Sequence, residues 1–330
     1  MLGKIALEEH VTTPANNELW DSSGEAARNG KAYMDEVDRR LLDVDERVEL
    51  MDRHGIDVTV LSLTSPGIQS ITEPETAIAT ARQTNDYLRE EYVDRHPSRL
   101  RVFAAVALQD PASAADELER AVTQLGAVGA LVNGYTNIGG PDEARYLDAE
   151  ENFVFWERVA ALNVPVYLHP REPLPSQTKI YQGYSSLVGS AWGFGHETST
   201  HAVRLMLSGL FDRLPRLRII LGHLGEGLPF LLPRLQHRLE KQHDGTGLGK
   251  AERRVSEYFS ENFYVTTSGH FHTKPLLDAV SEIGSDRVMF SVDYPYESMA
   301  EAAAWFDSAL IAENDRAKIG RHNAERLFGL

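Results

Sequence analysis

Several stretches of this chain place metal-binding or proton-moving groups directly after a short apolar run. They are Glu8-Glu9-His10, Asn133, His169-Pro170-Arg171, Gly222-His223 followed by Glu226, Thr267-Ser268-Gly269-His270, and Asp293. Alternate residues of an extended strand share a face. Glu8 and His10 therefore point one way and Glu9 the other. Glu8, His10, His169 and Asp293 would bring two imidazoles and two carboxylates to one point. Nitrogen and oxygen donors of this kind suit Zn²⁺, Mn²⁺ or Fe²⁺. The chain has no cysteine, which excludes thiolate ligands, disulfides, iron–sulfur clusters and thiol nucleophiles. Taken singly, a strand-end histidine is more often structural, and an aspartate before Tyr-Pro is more often a turn residue. Gathered at the ends of strands 1, 5, 6 and 8, the set reads as one metal site.

Such residues need elements that carry them to one place. Eight short apolar runs recur: Lys4–Leu7, Val58–Leu63, Val102–Leu108, Gly129–Val132, Pro165–Leu168, Leu217–Leu221, Phe263–Thr267 and Arg287–Ser291. Most are continuous rather than alternating, as in strands buried on both faces. Between them lie helix-like segments: Val44–His54, Glu73–His96, Pro111–Leu125, Asn152–Leu162, Thr198–Phe211, Pro229–Gln242, Thr273–Ile283 and Glu297–Leu310. This alternation predicts parallel βαβ units closed into an α/β fold, a (β/α)8 TIM barrel, as a single domain over residues 1–330. A doubly wound sheet would call for a GxGxxG phosphate loop, and the chain has none. The C-terminal ends of barrel strands converge on one mouth, where polar residues read as catalytic. Two polar segments interrupt the pattern: an inserted loop, Val11–Arg40, after strand 1 and Tyr135–Ala149 after strand 4. Both are expected to help build the site. A C-terminal helix, Asp315–Phe328, closes the chain.

The 330 residues carry 33 Lys+Arg against 49 Asp+Glu, a net charge of −16. That balance argues against nucleic acid, because phosphate neutralisation needs a basic face. It argues equally against an anionic membrane surface. The N-terminus turns acidic at Glu8 and Glu9 without a signal-like apolar stretch, and no apolar run is long enough to span a bilayer. A cytoplasmic location is expected.

The residues also carry a resemblance. The stretches Gly3-Lys4-Ile5-Ala6-Leu7-Glu8-Glu9-His10, Ala130-Leu131-Val132-Asn133, Tyr167-Leu168-His169-Pro170-Arg171, Gly222-His223-Leu224-Gly225-Glu226, Thr266-Thr267-Ser268-Gly269 and Phe290-Ser291-Val292-Asp293-Tyr294-Pro295 are similar to those of the amidohydrolase superfamily. Within it, they resemble the non-oxidative ortho-hydroxybenzoate decarboxylases, nearly end to end and into Lys318-Ile319-Gly320-Arg321-His322-Asn323-Ala324. The resemblance implies a carboxy-lyase that converts an ortho-hydroxybenzoic acid to CO2 and a phenol, reversibly. Members acting on 2,6-dihydroxybenzoate keep a full Glu-x-His on strand 1. His10 therefore puts that substrate first, with 2,3-dihydroxybenzoate or salicylate next. Pro173-Leu174-Pro175, Ile180-Tyr181 and Trp192 lean the same way, whereas Ser268-Gly269-His270-Phe271 and Asp293-Tyr294-Pro295-Tyr296-Glu297 lean toward 2,3-dihydroxybenzoate. The alternatives are a metal-dependent hydrolase of the same superfamily and a decarboxylase of the aminocarboxymuconate-semialdehyde type.

The resemblance also implies roles. One divalent metal ion, Zn²⁺ or Mn²⁺ with Mg²⁺ also possible, would sit on Glu8, His10, His169 and Asp293. Asp293 would protonate the ipso carbon, a task that calls for a raised pKa. His223 would hydrogen-bond the substrate carboxylate or a metal-bound group, and Glu226 would fix its tautomer. Asn133, Arg234, Trp192 and His196 are the expected substrate-binding residues, with Arg234 reaching a neighbouring subunit in a homodimer or homotetramer. Pro233 stands where relatives carry tryptophan, and Trp20 or Glu25 where they present an aromatic residue to the ring. His270 and His272 read as solvated loop residues. His54, His96, His201, His237, His243 and His322 read as structural or surface residues.

Overall fold

The computed structural model describes residues 3–17, 28–242, 245 and 247–330; Trp20, Glu25 and His243 lie outside the described residues. The barrel strands are β1 (Lys4–Val11), β2 (Ile56–Leu63), β3 (Leu100–Val102), β4 (Ala130–Asn133), β5 (Val166–His169), β6 (Ile219–Leu221), β7 (Phe263–Thr266) and β8 (Val288–Met289), and a short antiparallel pair, Thr136–Asn137 with Ala144–Arg145, follows β4. They pair in parallel as two ladders, β1-β2-β3 and β4-β5-β6-β7-β8. Single parallel bridges, Ala104 to Ala130 and Glu9 to Tyr294, join the ladders at both seams. The ring is closed, and the fold is the expected (β/α)8 barrel.

Around it run α1 (Lys31–Leu42), α2 (Val44–His54), α3 (Pro74–Tyr87), α4 (Pro111–Leu125), α5 (Phe153–Leu162), α6 (Gly193–Leu207), α7 (Leu228–Glu240), α8 (Val255–Asn262), α9 (Thr273–Ile283), α10 (Met299–Ser308) and α11 (Asn323–Phe328). Local chemistry starts several of them. Asp43 caps α2 by accepting the Glu46 N–H at 2.9 Å, and Asp110 caps α4, which has proline in its first turn. The barrel interior is filled by Ile5, Leu7, Val60, Phe103, Leu131, Tyr167, Ile220 and Met289, and Ala324 and Leu327 of α11 pack against them. No described helix is long and apolar enough to cross a membrane.

The structure corrects several element boundaries. The segment expected to be a polar loop, Val11–Arg40, contains most of α1, whose Met34, Val37 and Leu41 bury one helical face. The expected helix Glu73–His96 ends as α3 at Tyr87 and continues as the wider π-helical Leu88–Val93. The helix expected over Thr198–Phe211 starts earlier, at Gly193, and stops at Leu207. Helix α8 was not expected. The apolar run Val102–Leu108 is buried, but the strand ends at Val102. Beyond the single bridge at Ala104, side chains replace the ladder. Asn85 donates to the Ala105 carbonyl at 2.9 Å and accepts its N–H at 2.8 Å, and Gln69 donates to the Val106 carbonyl.

One irregularity aims the site. Ile5 and Leu7 face the barrel interior, so strict alternation would send Glu9 inward and Glu8 outward. The pairing of β1 with β2 slips between Ala6 and Glu9, where β1 carries one extra residue. This bulge reverses the parity and turns Glu8 and His10 inward. Ser291 Oγ accepts the freed N–H groups of Leu7, at 3.1 Å, and of Glu8. Ser291→Ala should strand two buried donors and destabilise the fold by about 2–4 kcal/mol in denaturant titrations. A cost under half of that would mean that Ser291 does not hold the bulge.

Candidate active site

Glu8 and His10 on β1, His169 at the end of β5, and Asp293 beyond β8 each offer one donor atom, and the four atoms lie within 4.8 Å of one another. His10 Nε2 lies 3.1 Å from Asp293 Oδ1, and His169 Nε2 lies 3.3 Å from Glu8 Oε1. Neither Glu8 Oε1 nor His10 Nε2 has a hydrogen-bond partner among the described residues, and both are buried. Groups this close that fail to bond one another are aimed at a common point between them. Unpartnered buried donors of this type are costly unless a cation satisfies them. Ser62 Oγ sits 3.3 Å from His10 Nδ1, so a hydrogen on Nδ1 leaves the Nε2 lone pair facing the centre. The residues fit a divalent metal.

The electrostatics divide the cluster. Burial raises Glu8 above the usual carboxylate range; nearby His223 opposes the rise and Asp293 adds to it. Burial and neighbouring His10 hold His169 well below its ordinary value, which leaves its ring neutral. Burial alone would depress His223, but the carboxylates of Glu226 and Glu8 and the hydrogen bond with Asp293 hold it well above. Burial alone would raise Asp293, yet His10 and His223 beside it outweigh that and hold it below the usual range. Burial acts on Asp293 in the direction expected from the sequence, and the two imidazoles act against it. In this state the proton resides on His223.

His223 lies across the mouth from β1. Its Nδ1 is 2.8 Å from Glu226 Oε1, and its Nε2 is 3.4 Å from Asp293 Oδ2. A left-handed turn makes this possible. His223, Leu224, Gly225, Glu226 and Gly227 have φ of 49°, 55°, 82°, 56° and 77°. Each non-glycine residue there costs on the order of 1 kcal/mol, which surrounding contacts must offset. Leu224 is buried, and the His223 N–H donates to Ser268 Oγ at 3.0 Å. Opposite, Gly269 has φ of +59°, and a Cβ there would sit 3.1 Å from His223 Cδ2. Residues 222–226 thus do more than place a histidine on a strand end.

The expected substrate-binding residues are not gathered in the same way. Asn133 pairs in register with His169 and is buried; its N–H donates to Gln69 Oε1, and its Oδ1 has no partner among the described residues. Trp192, His196 and Arg234 are exposed and lie outside the four-donor cluster. The sequence reading missed Tyr167, Ser268, Ser291 and Glu297. Glu297 is pushed up to about 7 by burial, with Asp293 adding to the rise, and its N–H donates to the Asp293 carbonyl. Tyr167 had a signal, since it shares the inward parity of His169 two residues on.

His201 is the structural histidine expected. It is fully buried in α6, its Nε2 accepts the Leu147 N–H at 2.9 Å, and burial, aided by Arg204, pushes it down to about 3 from an ordinary 6.5. A depressed histidine supports stability that is whole above the unfolded value and falls as pH drops toward the folded value. His201→Gln keeps an acceptor for Leu147 and removes the titration. At about pH 5 the variant should therefore escape roughly 2 kcal/mol of the acid destabilisation that the parent suffers. Parallel denaturant melts at neutral and acid pH that lose stability equally in both proteins would contradict this.

Residues 10–330 match the family model described as amidohydrolase, and the chain belongs to that family. It is 51% identical over 334 residues to γ-resorcylate decarboxylase of Rhodococcus jostii, covering 100% of this chain and 99% of that protein. Two solved structures superpose closely. One, a 2,6-dihydroxybenzoate decarboxylase complexed with 2,6-dihydroxybenzoate, has a TM-score of 0.94 at 48% identity, covering all of both chains. The other, a dihydroxybenzoic acid decarboxylase of Polaromonas sp. with bound manganese and the inhibitor 2-nitroresorcinol, has a TM-score of 0.93 at 49% identity, covering 100% of this chain and 98% of that one.

Proposed function

We propose that this chain is a metal-dependent, non-oxidative decarboxylase of ortho-hydroxybenzoic acids, with 2,6-dihydroxybenzoate as its preferred substrate and Mn²⁺ or Zn²⁺ as its metal. One observation carries the reading. The carboxylate that completes the four-donor cluster, Asp293, is also the one that faces the protonated His223. Positive charge and a transferable proton thus meet at one side chain.

A divalent ion held by Glu8, His10, His169 and Asp293 would supply positive charge that favours a carboxylate beside a phenolic oxygen. The chain's own residues handle the proton. Glu226 holds His223 by Nδ1, so Nε2–H points at Asp293. The proton passes through this pair to the ring carbon that bears the carboxylate. That carbon becomes tetrahedral. The electron pair of the C–CO2 bond then returns to the ring, aromaticity is restored, and CO2 leaves. Asn133 Oδ1, buried and unpartnered, would accept from a ring hydroxyl.

The same reading includes a homo-oligomer, dimeric or tetrameric. Phe230 and Leu231 on α7 are 78% and 52% exposed, and Trp192 is 61% exposed. Apolar groups of this size support coverage by a second copy. Arg234 lies on the same helix and would approach the neighbouring mouth.

The test is direct. Metal-loaded protein is incubated separately with 2,6-dihydroxybenzoate, 2,3-dihydroxybenzoate and salicylate, and loss of the acid's ultraviolet absorbance is followed alongside CO2 release. Turnover of 2,6-dihydroxybenzoate should be fastest. With metal bound and none of the three turned over, the reading fails in favour of a hydrolase or a lyase of non-aromatic acids.

A further inference from the structure

We propose that Tyr167, inside the barrel, is the positioning residue that decides which oxygen of Glu8 faces the metal. This rests on the metal-site reading above. Tyr167 is fully buried on β5, and its ring packs edge-on against Phe103 with centroids 5.8 Å apart. Its hydroxyl donates to Glu8 Oε2. Thr266 Oγ1 lies 2.9 Å from the same hydroxyl and 3.3 Å from Glu8 Oε2. Ser268 Oγ follows at 3.0 Å from Thr266 Oγ1, and it accepts the His223 N–H at 3.0 Å.

The consequence is an asymmetric carboxylate. Oε2 is held by hydroxyls from two strands, while Oε1 is left without a partner, 3.3 Å from His169 Nε2. A carboxylate free to rotate would offer either oxygen, or both. The phenol removes that choice before any ion arrives. Gly222 closes the other side, because a Cβ there would lie 2.6 Å from Glu8 Oε2. The hydroxyl chain also runs on to the first residue of the left-handed turn. The group that orients a metal ligand and the backbone that orients His223 thus share one hydrogen-bond path.

Tyr167→Phe keeps the ring and deletes the donor. Orienting partners of metal ligands are worth about 10–100-fold in affinity, and we expect a loss of that size for Mn²⁺ by calorimetry. Thr266→Val removes the longer of the two contacts to Glu8 Oε2, together with the Tyr167 and Ser268 links, but keeps the phenol as donor and should cost less. The visible bands of the Co²⁺-loaded protein should shift in Tyr167→Phe, because the carboxylate is freed to bind differently. Tyr258→Phe is the control. It deletes another buried phenol, which bonds Asp212 at 2.6 Å on the outer layer, and should leave both readouts unchanged. If the parent binds Mn²⁺ and Tyr167→Phe matches it in affinity and Co²⁺ bands, Tyr167 has no such role. If the parent binds neither ion, the metal centre itself falls, and the role of Tyr167 with it.

Discussion

Asp293→Asn should leave a folded barrel that releases CO2 at least about a thousandfold more slowly, the scale on which a positioned proton donor acts. The fold should survive for specific reasons. The structural bonds of Asp293 are made by its backbone: its N–H donates to the Glu8 carbonyl at 2.9 Å, and its carbonyl accepts from Glu297 at 3.0 Å. Its φ of 80° lies in a region that asparagine also visits. The chemistry should not survive. A carboxamide neither relays a proton from His223 nor offers an anionic oxygen to the centre. Weaker metal binding is a rival cause, so the rate is measured at saturating Mn²⁺, with occupancy checked by calorimetry. A slow rate at full occupancy assigns the loss to proton transfer. Near-normal turnover would remove Asp293 as the donor.

Much of this site was legible because its chemistry resides in residue types and strand-end spacing. Glu8-x-His10, His169, His223 and Asp293 each follow an apolar run, and barrel closure alone brings such positions together. The remaining features depend on relations that spacing does not encode. Glu8 faces inward only because β1 carries an extra residue, and the serine that tolerates it, Ser291, is far away in sequence. His223 meets Glu226, as the resemblance implied, but through a left-handed turn that spacing alone does not encode. The balance at Asp293 depends on two imidazoles that reach it from other strands, which spacing does not show. Tyr167 gives no strand-end signal, because its hydroxyl acts one layer below the mouth. The apolar run after Val102 reads as strand because burial and ladder pairing produce the same composition.

Stripping the metal should abolish activity, and reloading with Mn²⁺ should restore it, because the cluster is electrostatically incomplete on its own. Glu8 and Asp293 place two carboxylates beside two imidazoles, with donor atoms left unpaired in the barrel interior. A cation that binds only the folded chain stabilises it by mass action, by about 4 kcal/mol at a thousand times its Kd. The melting temperature of the loaded protein should therefore exceed that of the stripped protein by several degrees. The pH dependence has a defined sign. Glu8 is raised above the usual carboxylate range, so at lower pH the ion must displace a proton from it, and apparent affinity falls. His169 is held well below its ordinary value, so its nitrogen is already free of a proton near neutrality and adds nothing to the slope there. Chelator competition across a pH series should thus show affinity falling as pH drops, and Glu8→Gln should flatten that fall while weakening binding throughout. An affinity indifferent to pH, or a stripped protein that melts with the loaded one, would place the ion somewhere other than on these four residues.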